Sequence, residues 1–186
     1  LPVPAFRTVA VDEDPSRAAA LVAYPCVLKP VALAASRGVI RADGPEEFVA
    51  AFGRVAAILQ GADVRRVSEK LAPEILVESF IPGVEVALEG LLDNGQLRVL
   101  ALFDKPDPLD GPFFEETIYV TPARLAPARQ HVIAGHIARA ALALGLHHGP
   151  IHAECRVDGE DIVVLEVAPR PIGGLCARAI PVVAPD

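Results

Sequence analysis

Two carboxylates, Glu154 and Glu166, flank a hairpin turn in this 186-residue chain, and the second opens the run Glu166-Val-Ala-Pro-Arg170-Pro-Ile-Gly173-Gly174. A small divalent cation such as Mg²⁺ takes hard oxygen ligands, usually one or two carboxylates together with substrate phosphates. Two acids with an arginine close behind therefore suit a metal that carries a polyphosphate. The flanks read as strands. In His152-Ala-Glu154-Cys-Arg156 alternate residues share a face, and Ile162-Val-Val-Leu-Glu166 is apolar until the carboxylate. Directly opposed residues of an antiparallel pair share a face. Glu154 thus meets Glu166 only if the turn around Asp158-Gly-Glu-Asp161 holds an odd number of residues or a strand carries a bulge; a three-residue loop, Gly159 to Asp161, would satisfy this. A solvent-facing hairpin with two ordinary acids is the alternative.

The elements that must hold these groups follow from period and punctuation. Tyr24-Pro-Cys-Val-Leu-Lys29-Pro30 reads as a short buried strand ended by proline, and the small residues around Ser36-Arg37-Gly38 lead to a second strand at Val39-Ile-Arg41. Asp43, Pro45 and Glu46 start a helix over 45–59, whose Phe48, Val49, Phe52, Val55 and Ile58 or Leu59 form an apolar stripe. Glu74 to Ile81 is the next strand, turned by Pro82-Gly83. Val84 to Leu92 and Gln96 to Phe103 alternate around Asp93-Asn-Gly95, a strong hairpin signal. Asp104 to Glu116, with three prolines and five acids, reads as a long loop of the kind that carries function. A helix over 127–144, with Val132, Ile133, Ile137, Ala141 and Leu144 inward, precedes the acidic hairpin at 149–167. Residues 1–20 are mixed, with a short helix expected after Asp12-Glu-Asp-Pro15.

Composition narrows the partners. The net charge of −7 and pI near 5.2 disfavour a general nucleic-acid or anionic-membrane role. Three cysteines, Cys26, Cys155 and Cys176, are too few and too scattered for a zinc site or a disulfide framework, and read as reduced thiols. No apolar stretch reaches the ~18 residues of a membrane span, and Leu1-Pro-Val-Pro4 lacks the features of a signal peptide. The expectation is a cytoplasmic protein. The chain contains no methionine and is expected to be part of a longer polypeptide with a domain upstream. Lysine occurs only at Lys29, Lys70 and Lys105, which singles out Lys29 inside an apolar strand.

Set out in order, Lys29, Glu78, Glu85, Glu154, Glu166 and Arg170 resemble the ATP-grasp superfamily over nearly the whole chain. Its members include biotin carboxylase, carbamoyl-phosphate synthase, D-alanine–D-alanine ligase and the L-amino-acid ligases. The tail Glu-x-Ala-x-Arg-Pro-x-Gly-Gly looks nearest the L-amino-acid-ligase and carbamoyl-phosphate-synthase-like branch. The resemblance implies an α+β ATP-grasp fold: a lead-in segment over 1–19, a small lid lobe over 20–77, and a larger lobe over 78–186, two antiparallel sheets enclosing a nucleotide cleft.

It also implies roles. Lys29 would reach the α-phosphate region as a charge-assisted donor, with Ser36, Arg37 and Gly38 as the small-residue phosphate loop. Glu78, Ser79, Phe80 and Ile81 would form the hinge that binds the adenine edge, and Glu85 would accept from the ribose hydroxyls. Glu154 and Glu166 would hold Mg²⁺, with Mn²⁺ able to substitute, while Ala168 stands where the family often has a third ligand, an asparagine. Arg170 would stabilise the transferred phosphate, and Gly173 and Gly174 would admit a substrate carboxylate. His152, on the Glu154 face, would be a packed neutral histidine or a substrate contact; Lys105, Glu115 and Glu116 fall where acceptor substrates bind. The implied activity is ATP- and Mg²⁺-dependent ligation of a small carboxylate to an amine through an acyl phosphate, in a protein compatible with a homodimer. A nucleotide-binding module without catalysis and an ATP-grasp kinase are the alternatives.

Overall fold

The computed structural model describes residues 1–67, 73–115 and 118–180. They fall into two compact units: Pro4–Ile81 with Leu109–Glu116, and Leu1–Val3, Pro82–Pro108 and Thr117–Asp186. The division between them falls at Ile81/Pro82, with residues 4–19 in the first unit.

The first unit is a four-stranded antiparallel sheet of order β1-β4-β2-β3, formed by β1 (Phe6–Ala10), β2 (Cys26–Pro30), β3 (Ile40–Ala42) and β4 (Glu74–Ser79). Helices α1 (Pro15–Ala19), α2 (Pro45–Leu59) and α3 (Ala62–Val67) belong to it. The stripe expected on the 45–59 helix is its core: Phe48, Phe52, Val55 and Leu59 are buried with Val9, Leu28, Ile75 and Val77 of the sheet. Strand period then turns Lys29 and Glu78 to the other face, because their neighbours Leu28 and Val77 are packed inward. Strand β1 was not foreseen. Its Phe6-Arg-Thr-Val-Ala has one buried residue, and only pairing with β4, Phe6 opposite Glu78 to Ala10 opposite Glu74, makes it a strand.

The loop after residue 104 is partly built into this unit. Phe113 bridges Ile40 in antiparallel fashion, and the Arg41 amide donates to the Pro112 carbonyl at 2.9 Å. Gly111, at φ +97°, is required there, since a Cβ would stand 2.8 Å from the Cβ of Arg41.

The second unit is a sheet of order β6-β5-β7-β8, comprising β5 (Val84–Asp93), β6 (Gln96–Asp104), β7 (Gly149–Asp158) and β8 (Asp161–Ala168). Helix α4 (Pro127–Ala143) covers one face. Its Ile133, Ile137 and Ala141 pack with Val86, Leu88, Ile151, Ala153 and Cys155. Val132 and Leu144, expected inward, are 44% and 63% exposed. The helix turns through ~100° per residue, so a stripe centred on Ile133 and Ile137 leaves both at its margin.

The turn before β5 is fixed by backbone approach. Gly83 has φ +100°, and a Cβ there would lie 2.3 Å from the Val157 carbonyl oxygen. Gly83→Ala is therefore expected to lower the stability of this unit by at least about 2 kcal/mol, since a strained backbone alone costs about 1–3 kcal/mol. Thermal unfolding checks it. A melting profile equal to wild type would show that the turn relaxes freely.

Candidate functional site

The acidic hairpin meets the requirement read from the sequence, by the second of its two routes. Asp158 pairs with Asp161, so the turn is the two-residue Gly159-Glu160 rather than a three-residue loop. Cys155 pairs with Val164, but Glu154 pairs with Glu166: Leu165 is an extra residue, and the register shifts by one. Without that bulge Glu154 would face Leu165, and Glu166 would belong to the opposite side of the sheet. The bulge thus sets the two carboxylates opposite one another.

Period two does the rest. The face away from α4 carries Glu85, Ala87 and Glu89 from β5, opposite Arg156, Glu154 and His152 from β7. Four of these ionisable side chains, Glu85, Glu89, His152 and Arg156, are buried, as is Lys105 just beyond β6. Buried charge is tolerated only when paired, and the pairing is extensive. Lys105 Nζ donates to Glu85 Oε1 at 2.7 Å and to Glu154 Oε1 at 2.6 Å. Arg156 Nε donates to Glu85 Oε2 at 3.2 Å. His152 is held through Nδ1 by Glu89 and through Nε2 by Glu154 at 3.2 Å. The second oxygen of Glu89 accepts the Ile172 amide at 2.9 Å.

Electrostatics follow from this lattice. Burial alone would disfavour the charged imidazole of His152, but the hydrogen bonds and charges of Glu154 and Glu89 outweigh it and raise the ring to about 9. The two carboxylates thus favour the charged form of the ring at neutral pH. Burial would likewise raise Glu154; His152 and Lys105 overcome that and hold it down at about 2. Glu154 is an anion at any physiological pH. Glu166 is more open, with Arg170 NH2 3.7 Å from its Oε1.

The remaining residues expected to take part lie as follows. Lys29 Nζ is 2.5 Å from Glu78 Oε2, the two side chains being 28% and 17% exposed. In the hinge segment the Ser79 and Phe80 amides donate to the Ala5 and Pro25 carbonyls, at 2.9 and 3.0 Å. Phe80 lies under the Arg41 guanidinium, 4.1 Å from the ring centroid, and Ile81 is half-buried. In the phosphate-loop segment Ala35 and Ser36 have φ of 56° and 53° and Gly38 +81°. Two adjacent non-glycine residues in the left-handed region carry strain of the kind that clusters at ligand clamps. Arg37 pairs with Asp63 at 2.8 Å. Arg170, Gly173, Gly174 and Glu115 are exposed, and Glu116 lies outside the described residues. Ala168 is paired with His152.

Sequence reasoning placed Lys105 with the acceptor substrate, whereas it is buried between Glu85 and Glu154. It gave Arg156 no role. The usable signal was the matched spacing, Glu85 and Glu89 on one strand, His152 and Arg156 on another, which becomes a charge ladder once β5 pairs with β7.

The donor set fits a hard divalent ion. Glu154 and Glu166 stand opposite one another in register and could offer carboxylate oxygens to such an ion, with the rest of its coordination left to phosphate and water; among the described residues no group of three or more His, Cys, Asp or Glu could hold a metal ion. No helix among the described residues is long and apolar enough to cross a membrane.

Cys26 and Cys155 are buried in the two cores. Burial, reinforced by the charge of Asp43, raises the Cys26 thiol to about 11; burial, reinforced by Glu85 and Glu154, raises Cys155 to about 12. At pH 8 iodoacetamide is therefore expected to modify the half-exposed Cys176 first. Labelling of the other two is expected only in denaturant, as read by peptide mass spectrometry. Rapid labelling of Cys155 in the native protein would contradict the packing of β7 against α4.

Two four-stranded antiparallel sheets, an acidic hairpin brought into register by a bulge, and a strand bearing Lys29 define an ATP-grasp domain, and this chain belongs to that family. The ATP-grasp domain family matches residues 22–179. The chain is similar to alanine–anticapsin ligase of Bacillus amyloliquefaciens, with 27% identity over 90% of this chain and 37% of that protein. It is also similar in structure to L-amino acid ligase from Bacillus licheniformis, with TM-score 0.74 and 34% identity over 91% of this chain and 39% of that one. A biotin carboxylase from Campylobacter jejuni, at 18% identity and TM-score 0.68 over 94% of this chain and 38% of its own, shares the fold. The chain thus spans under two fifths of the length of these relatives.

Proposed function

We propose that this chain is the nucleotide-binding part of an ATP- and Mg²⁺-dependent ligase that joins a small carboxylate to an amine through an acyl phosphate. The observation that carries the reading is the pairing of Glu154 with Glu166 on the face that also holds Glu85, with Lys105 between Glu85 and Glu154. Family membership and the likeness to amino-acid ligases support it. A nucleotide whose ribose is read by Glu85 and whose phosphates end near Glu154 would run its polyphosphate past the Lys105 ammonium. A cation there stabilises phosphate oxygens that gain charge during transfer.

In this reading Glu154 and Glu166 would hold Mg²⁺, which when bound would supply positive charge to the phosphates. The chain's own residues bind and orient. Lys29 and the 36–38 loop hold phosphate, and Glu78 to Ile81 receive adenine. Arg170, tethered beside Glu166, steadies the transferred group or the acyl phosphate. Gly173 and Gly174 lie next to it for the substrate carboxylate. Positioning and electrostatics carry such a transfer, so the chain need supply no general base. Ala168 contributes no third carboxylate or amide, which two acids plus phosphate and water can make up. The acid and amine are drawn from the amino-acid class, on the strength of the ligases it resembles.

The test is Mg²⁺- and ATP-dependent ADP release by the full-length protein, screened against amino acids, dipeptides, bicarbonate and polyamines. Stimulation by an amino-acid pair is the expected result. ATP binding with no stimulated release from any of them would instead favour the non-catalytic module, and phosphorylation of a hydroxyl would favour the kinase.

A further inference from the structure

Glu89 stands apart from the residues that such a reaction calls on directly. It is 2% exposed, it sits on β5, and its two oxygens go to different places. One meets His152 Nδ1, and His152 Nε2 in turn meets Glu154. The other accepts the amide of Ile172, a residue distant in sequence but buried, set between Arg170 and Gly173-Gly174. The flanking Arg170, Gly173 and Gly174 are exposed. Glu89 is thus a fixed point with one hand on the metal acid, by way of an imidazole, and the other on the backbone of the glycine-rich segment.

We infer that Glu89 is a positioning residue that sets the 170–174 segment in register with Glu154, so that the group bound by the segment and the phosphate held at the metal meet at a defined separation. The inference rests on the assignment of 170–174 to the carboxylate substrate made above. The physical case is that the Ile172 amide has a carboxylate acceptor rather than water. A charge-assisted bond from a buried, doubly anchored acid holds the backbone more firmly than a solvent contact does. Supporting partners of this kind commonly govern reactivity by 10- to 100-fold, on the order seen for groups that orient metal ligands.

The test uses Glu89→Asp and Glu89→Ala in the full-length protein. Aspartate keeps a negative charge facing His152 but is one methylene too short to span both partners, so it reports even where alanine prevents folding. Amide hydrogen exchange at Ile172 and Gly173 is expected to quicken roughly tenfold or more, with exchange in β2 and β4 unchanged. With L-alanine as the probe carboxylate, its KM in MgATP-dependent ADP release is expected to rise about tenfold or more, while MgATP affinity stays within about twofold. Wild-type exchange at Ile172 in Glu89→Asp would overturn the inference, as would quickened exchange with an unchanged KM. A wild type that binds no MgATP, or releases no ADP with L-alanine, would count against the proposed ligation of that acid; exchange at Ile172 then decides the role of Glu89 by itself.

Discussion

Glu154→Ala is expected to abolish MgATP-dependent turnover and to destabilise the second unit by about 3–5 kcal/mol, the usual cost of stripping one partner from a buried ion pair. Both effects come from one carboxylate. Glu154 Oε1 accepts from Lys105 at 2.6 Å and contacts His152 Nε2 at 3.2 Å, and those two cations are 5% and 4% exposed. Without it, Lys105 keeps its bond to Glu85, and His152 keeps only its contact with Glu89 among the described residues. Glu154→Gln separates the two effects. The amide keeps the volume and one acceptor oxygen, so the stability loss should fall to about 1–3 kcal/mol, while the proposed anionic ligand for the metal is still gone. Thermal unfolding and ADP release on the same preparations check both variants. A Glu154→Gln protein with wild-type turnover would remove the hairpin from the metal site.

Lys29→Met is expected to weaken MgATP binding by about 1–3 kcal/mol, roughly 10- to 100-fold, with little change in folding stability. Methionine preserves most of the aliphatic stem on β2 and deletes the charge. The stability change should be small, since the pair with Glu78 is partly exposed and such pairs are worth about 0–1 kcal/mol. Binding should suffer twice, because the variant loses the proposed phosphate donor and also leaves Glu78 without its Lys29 partner. Lys29→Met with Glu78→Gln removes that second contribution, so the double variant should recover part of the affinity. Titration of MgATP into the full-length proteins measures it. Equal affinity in wild type and Lys29→Met would make Lys29 a strand residue whose role ends at Glu78, and would detach the first unit from the proposed nucleotide site.

Much of this protein is determined by local pattern. The stripe of Phe48, Phe52, Val55 and Leu59 forms a helix with bounds 45–59, and Asp93-Asn-Gly95 joins two alternating strands with Asn94 and Gly95 at positive φ. Period two puts Glu85, Glu89, His152, Glu154 and Arg156 on one side of their strands whatever the rest of the chain does. The order of Lys29, Glu78, Glu85, Glu154, Glu166 and Arg170 carried the family. What tertiary structure alone decided depends on pairing between distant residues. Phe6–Ala10 has too weak an apolar pattern to declare itself and becomes a strand only by hydrogen bonding to β4. The turn chemistry allowed either an odd loop or a bulge, and the register with β7 selected the bulge at Leu165. Nothing in the sequence marks Lys105 or Glu89 as buried, because a charge is costly to bury unless partners surround it. Those partners come from strands far apart in the chain, so only the folded sheet shows that Lys105, Glu89 and His152 are buried, paired and held at fixed distances.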